Sequence, residues 1–242
     1  MISAMAYRYL WPLFFILACL SCTVEKPVVQ KKPAPVVLVK PKIPILSQEQ
    51  REALGFPTGL IEQIEHAADA LAEPYFAIVA MQTENLKGEK GIESKKLVGF
   101  SVHTNKSDEL LKSYRASLRA KGYVMFRTHK GFGKLKDIVT VVRGNSSYDI
   151  LTVQRTEGVN YHLDTKAIIA WLKRQQRKCS FLITGAGPDW VEAKFVKQPK
   201  DMLAFAKKVS AFAPDVLTRD MRTVEKLAEQ MEQTNGFYLS WD

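Results

Sequence analysis

The chain has 242 residues, of which 46% are apolar and 10% aromatic, and its formal net charge is +10. That composition excludes a wholly disordered chain and an integral membrane bundle, and the moderate basic excess favours anionic surfaces without singling out nucleic acid. The cysteines are Cys19, Cys22 and Cys179, so the part beyond the opening stretch holds one, too few for an internal disulfide or a zinc site.

Tyr9 to Leu20 is an apolar run of 12 residues, short of the roughly 20 that a helix needs to cross a bilayer. It follows Arg8 and runs into small residues, the outline of an export signal. ILAC, ending at Cys19, and CLSC, ending at Cys22, both resemble the bacterial lipobox. That resemblance implies cleavage before a cysteine that becomes diacylated. Cys22 fits the boundary better because Thr23 opens the polar stretch, whereas Cys19 has the more regular residues before it, Ile16, Leu17 and Ala18. Residues 1–21 are therefore expected to be a lipoprotein signal peptide and Cys22 the palmitate-bearing residue. The expected location is the bacterial cell envelope, on the periplasmic or surface side of a membrane. Each buried methylene of the acyl chains adds about 0.8 kcal/mol to that attachment. Residues 22–46 follow as a linker, with five prolines and five lysines, extended and semi-rigid because proline fixes its own backbone and restricts the residue before it.

Ser47 and Gln50 form an S-x-x-Q capping box that starts a short helix, ended by Gly55 and Pro57. Thr58 caps a second helix with Leu60, Ile61, Ile64, Ala67, Ala68 and Leu71 on one stripe, closed by Glu73-Pro74. Residues 75–83 and 95–103 read as a hairpin with a long loop. Asn105 or Ser107 caps a helix bearing Leu110, Leu111, Tyr114 and Leu118, which Gly122 ends. Residues 123–128 and 137–142 are the next strands.

YDILTVQ, residues 148–154, reads as a strand opening the second half. Asp164 or Thr165 caps a helix with Ile168, Ile169 and Leu172 inward and KRQQRK outward. Residues 179–184 and 190–196 are strands about the turn GAGPD. Pro199 takes the first position of a helix carrying Met202, Phe205, Ala206, Val209 and Phe212. Val224, Leu227, Ala228 and Met231 mark a last helix, and Asn235-Gly236 turns the chain into FYLSW, expected to lie inside the sheet. The fold class is α+β. Residues 144–242 are expected to form a ferredoxin-like βαββαβ domain with one extra helix, preceded by a smaller α+β subdomain at residues 47–143.

KGFGKLKD, Lys130 to Asp137, matches the first four positions of an RNA-recognition signature. The chemistry fails where base-stacking aromatics are needed, because those positions hold Lys134 and Asp137. Gly185 and Gly187 lack the third glycine and the helix of a dinucleotide fingerprint. His66, His103, His129 and His162 have no metal spacing, and no nucleophile elbow is present. Neither a cofactor nor nucleic acid is expected. In the strand after GAGPD, Trp190, Glu192 and Lys194 share one face, with Val191, Ala193 and Phe195 on the other. The candidate ligand or partner surface is Asn160, Tyr161, Asp189, Trp190 and Glu192, and the plainer reading of Trp190 is a packed ring beside a salt-bridged rim.

YDILTVQRTEGVNY, ITGAGPDWVEAKF, PKDMLAFAKKVSAFAPDV, TVEKLAEQM and the final FYLSWD together resemble the bacterial domain-of-unknown-function family four-two-five-three, over roughly residues 137–242. The chain departs from the usual pattern at Ser240, where tryptophan is common, at Ala213, where cysteine is common, and at Thr218-Arg219-Asp220. The family carries no assigned activity, so the resemblance implies a domain and no reaction. The sequence is read as a non-enzymatic binding module of the cell envelope with a protein partner, an immunity-type role being one version. The alternative is an envelope hydrolase acting on cell-wall or carbohydrate substrate through carboxylates such as Asp189 and Glu192, although positions i and i+3 of one strand point to opposite faces, so these two alone would not serve.

Overall fold

The capping box at Ser47 forms as its spacing predicts. The Gln50 N–H donates to Ser47 Oγ, and the Gln50 side-chain oxygen accepts from the Ser47 N–H. These bonds start α1 (Gln48–Leu54), which ends at Gly55 in the left-handed region. The computed structural model describes residues 45–81, 93–217 and 222–241. The expected signal peptide, Cys22, the linker up to residue 44, and Thr218-Arg219-Asp220 lie outside the described residues. No described helix is long and apolar enough to cross a membrane.

α2 (Leu60–Ala68) follows Gly59 without a side-chain cap, so Thr58 does not play the expected part. The helix stops at Asp69, and Leu71 is exposed beyond it. Glu73 and Pro74 then open β1 (Glu73–Met81) rather than close a helix. Proline is tolerated there because β1 is an edge strand. β1 pairs antiparallel with β2 (Glu93–Thr104). α3 (Ser107–Ala120) buries Leu110, Leu111 and Leu118 and carries no side-chain cap. β3 (Tyr123–His129) and β4 (Asp137–Arg143) form the next antiparallel pair.

Residues 148–154 correct the expected strand. They contain α4 (Asp149–Gln154), which buries Ile150 and Leu151. The Asp149 carboxylate accepts the backbone N–H groups of Asn145 and Ser146, bending the chain into the helix. A short apolar run does not distinguish strand from helix by periodicity. Its placement does: the chain crosses over β3 on its way from β4 to β5, and Ile150 and Leu151 are buried in the helix-side core on that crossover. α5 (Thr165–Gln176), capped by Asp164, completes that crossover.

β5 (Ser180–Ala186) and β6 (Trp190–Lys197) flank the GAGPD turn. α6 (Met202–Phe212) is capped by Asp201, so Pro199 lies before the helix and not at its first position. α7 (Val224–Thr234) leads through Asn235 into β7 (Gly236–Ser240). The chain is thus α+β, with seven α-helices and a seven-stranded sheet among the described residues. The strand order is β1-β2-β4-β3-β5-β6-β7, antiparallel except at β3/β5. With α4 in place of a first strand, β5, β6 and β7 do not make a βαββαβ unit by themselves. β7 lies at the sheet edge, not inside it, although Phe237 and Leu239 on it are buried.

Two apolar cores flank the sheet. Phe100, Met125, Val139 and Val141 pack with residues of α1–α3. Val124, Phe126 and Val142 pack with the inner residues of β5–β7 and α4–α7. Val124 and Met125 are neighbours on β3, so the two cores lie on opposite faces. The helices α1–α3 cover β1–β4 on one face, α4–α7 back β5–β7 on the other, and among the described residues no helix covers the first face of β5–β7.

Candidate functional site

Arg127 sits near the end of β3 on the α3 side of the sheet and is 2% exposed. It is the register partner of Gly185 on β5. Its Nε donates to Asp137 Oδ2 at 2.9 Å, and its Nη2 donates to Asp108 Oδ1 at 2.7 Å and to Ser107 Oγ at 2.9 Å. Its Nη1 donates to Glu192 on β6. Glu192 also accepts from Lys130 Nζ at 3.0 Å and from Thr184 Oγ1 at 3.1 Å. Asp137 further accepts from Ser107 Oγ at 2.5 Å and from the Gly131 N–H at 2.7 Å. Four donor contacts satisfy a guanidinium that has five N–H groups.

Burial opposes the charge on Arg127, Glu192 and Asp137, and the pairing outweighs it. Burial opposes the charge on Arg127, yet Glu192, Asp108 and Asp137 raise its pKa. Burial pushes Glu192 upward, but the charges of Arg127 and Lys130 and the bonds from Lys130 and Thr184 hold it below its ordinary value. Asp137 is lowered in the same way, by bonds from Ser107 and Gly131 and by Arg127.

Beside this cluster the uncovered face carries Trp190, Lys194 and Tyr238, all partly buried. Trp190 and Tyr238 stack with ring centroids 5.6 Å apart and 15° between planes. Lys194 Nζ donates to the Thr234 carbonyl at 2.9 Å. The alternation expected for β6 holds: Val191, Ala193 and Phe195 are in the helix-side core, while Trp190 and Glu192 face the other way. A shallow cavity of about 210 Å³ lies next to the ledge, lined by Asp108, Arg115, Arg127, Thr184 and Lys194 among others.

The candidate surface residues do not all converge. Trp190 and Glu192 share the uncovered face. Asp189 sits in the turn before β6, its carbonyl accepting from the Trp241 N–H at 3.0 Å. Asn160 and Tyr161 lie in a short 3-10 turn, Val159–Tyr161. The Tyr161 hydroxyl donates to Asp215 Oδ1 at 2.7 Å, in the turn after α6 and away from the Glu192 cluster. Among the described residues no group of three or more His, Cys, Asp or Glu side chains could hold a metal ion. Lys130 to Asp137 forms the exposed β3–β4 connection, with Asp137 committed to Arg127.

Arg127 was hidden in the sequence because a strand that reads YVMFRT gives no sign of which partners will surround its arginine. The one usable signal is alternation: Tyr123 and Met125 face a core, so Arg127 must face it too. An inward arginine requires carboxylate partners.

Residues 138–242 match the family described as Domain of unknown function (DUF4253). The DUF4253 stretch contains Thr184, Trp190, Glu192, Lys194 and Tyr238, whereas Asp108, Arg115, Arg127 and Asp137 precede it. The buried pair Arg127–Glu192 therefore joins the DUF4253 stretch to the chain before it. No curated protein and no solved structure matches the chain.

Proposed function

We propose that the protein is a lipid-anchored module of the bacterial cell envelope that binds a protein partner on the uncovered face of β5–β7 and performs no catalysis there. The observation that carries this reading is the ledge of Trp190, Tyr238 and Lys194 on that face, an aromatic pair rimmed by a cation. Tryptophan and tyrosine are enriched at protein interfaces, whereas lysine is depleted there and fits the polar rim rather than the centre. An acyl anchor at Cys22 would keep the chain at the membrane, within reach of other envelope proteins. An immunity-type role is one form of such binding.

The hydrolase alternative has less support. A general acid must hold a proton near neutral pH. Glu192 is instead bound by Arg127, Lys130 and Thr184 and held below its ordinary pKa.

The test pairs two measurements on the native membrane fraction. Intact mass of the mature chain should show acylation at Cys22 that is lost in Cys22→Ala. Affinity capture from solubilised envelope should recover a protein that Lys194→Glu and Tyr238→Ser both fail to recover while keeping wild-type circular dichroism. Capture unchanged in both variants would remove the ledge from the binding reading. An unprocessed, unacylated chain would remove the anchor.

A further inference from the structure

β3 and β5 meet at one register pair, Arg127 and Gly185. Towards the starts of the two strands lies a cavity of about 270 Å³, lined by Val124 and Met125 of β3 and by Leu182 and Ile183 of β5. Leu111 of α3 and Ile150 of α4 close it with further apolar surface. The sheet is thus parted in its interior, at the seam between its two halves, and the gap is apolar.

One wall of that gap is cationic. Lys112, Arg115 and Arg119 line it from α3. They recur at helical spacing, so all three sit on one side of the helix. Like charges three and four residues apart destabilise a helix. Arg115 Nη1 is out of contact with solvent and has no hydrogen-bond partner among the described residues. Burial, and then the charge of Arg119, pull the pKa of Arg115 down. A buried guanidinium nitrogen without an acceptor is costly, and Arg127 shows what the same chain does when carboxylates are in reach.

We infer that the cavity between β3 and β5 is a binding site for a small amphipathic carboxylate, its apolar body against Met125, Ile150 and Leu182 and its carboxylate on Arg115. Apolar pockets with a few convergent polar groups are the usual form of small-molecule sites. The guanidinium supplies paired donors to a carboxylate in the geometry that favours arginine over lysine. Lys112 and Arg119 at the rim draw an anion in. The site adjoins the shallow cavity beside the partner ledge, since Arg115 lines both, but its apolar body, Met125, Ile150 and Leu182, lies outside that cavity, and the inference does not rest on the ledge reading.

The test uses the mature full-length chain, solubilised and labelled with 13C at its methionine methyl groups. Hexanoate and its neutral isostere hexanamide are the probes. Hexanoate should move the Met125 methyl resonance to saturation, with an affinity roughly tenfold or more above that of hexanamide, as a charge-assisted bond requires. Arg115→Gln should abolish that preference and should not lower the melting temperature, because it removes a partly buried charge whose Nη1 has no acceptor among the described residues. If Arg115→Gln does not fold, the Lys112→Gln/Arg119→Gln double variant, altered at exposed positions, should weaken hexanoate and leave hexanamide unchanged. Equal binding of the two probes, no movement of Met125 with either, or unaltered hexanoate affinity in Arg115→Gln would overturn the inference. Since no partner protein enters the titration, its failure would leave the ledge reading standing, and the reverse holds as well.

Discussion

Arg127 on β3 and Glu192 on β6 are joined across the intervening strand β5, although they are 65 residues apart in sequence. Both side chains are buried, and the pair spans the one parallel contact of the sheet. Removing one member of a buried pair leaves the other uncompensated, at a cost of about 3–5 kcal/mol. Arg127→Met should therefore destabilise by about 3 kcal/mol, the lower end of that range, since Glu192 keeps only Lys130 and Thr184 and Asp137 only Ser107 and the Gly131 N–H. Glu192→Gln should cost less, about 1–3 kcal/mol, because Arg127 keeps Asp137 and Asp108. Urea unfolding of both variants gives the comparison. Equal losses, or a harmless Arg127→Met, would show that the cluster does not hold the two halves of the sheet together.

The same cluster sets a pH dependence. Glu192 and Asp137 both have folded-state pKa values below their ordinary ones. The unfolded chain takes up those protons first, at about pH 4. The stabilisation is therefore fully present above that pH and is lost as pH falls through the lower folded values. Urea midpoints should fall steeply below about pH 4, and the fall should be shallower in Glu192→Gln. A wild-type and a variant that lose stability in parallel between pH 5 and pH 2.5 would remove Glu192 from this account.

Local signals in the chain translated well where they were self-contained. The Ser47 capping box, the Asp164 cap and the apolar stripes of α3, α6 and α7 all depend on residues within a few positions of each other. The signals that failed needed distant information. YDILTVQ is ambiguous alone, and it folds as a helix where Ile150 and Leu151 pack into a core shared with Val124, Phe126 and Ile183. Ser107 was a plausible cap, but Arg127 and Asp137 claim its hydroxyl. The facing of Trp190, Glu192 and Lys194 was legible from alternation on β6. The arginine that binds Glu192 was not, because it arrives from 65 residues away. Nothing in the sequence marks Arg115, and the parting of β3 from β5 brings it to an apolar cavity.

Gly187 tests whether Trp190 is held in place by backbone shape. A Cβ at Gly187 would come within 2.1 Å of Trp190 Nε1, so alanine there forces the indole to move. Gly187→Ala should shift tryptophan emission to the red as Trp190 leaves Tyr238, and cost about 1–3 kcal/mol through overpacking. The chain also contains Trp11, Trp171 and Trp241. The same substitution in a Trp190→Phe background should therefore leave emission unchanged. Emission that shifts equally in both backgrounds would assign the change to another tryptophan.

Phe132 is the clearest case of local strain on the surface. It has φ of 49°, in the left-handed region, and is 73% exposed at the tip of the β3–β4 loop. Left-handed backbone costs an L-residue roughly 1–2 kcal/mol, and the exposed ring offers no core burial in return. Lys130 Nζ lies 5.6 Å from the centroid of its ring. An exposed cation–π contact of that kind is worth about 0.5–1 kcal/mol. Phe132→Gly relieves the strain and loses the contact, so stability should stay level or rise by about 0.5 kcal/mol. Phe132→Val loses the contact and keeps a β-branched residue in a region it strongly disfavours, so stability should fall by about 1 kcal/mol or more. Urea midpoints ordered glycine, then phenylalanine, then valine would match the geometry. Valine as stable as glycine would mean that the loop gives up the left-handed conformation at little cost.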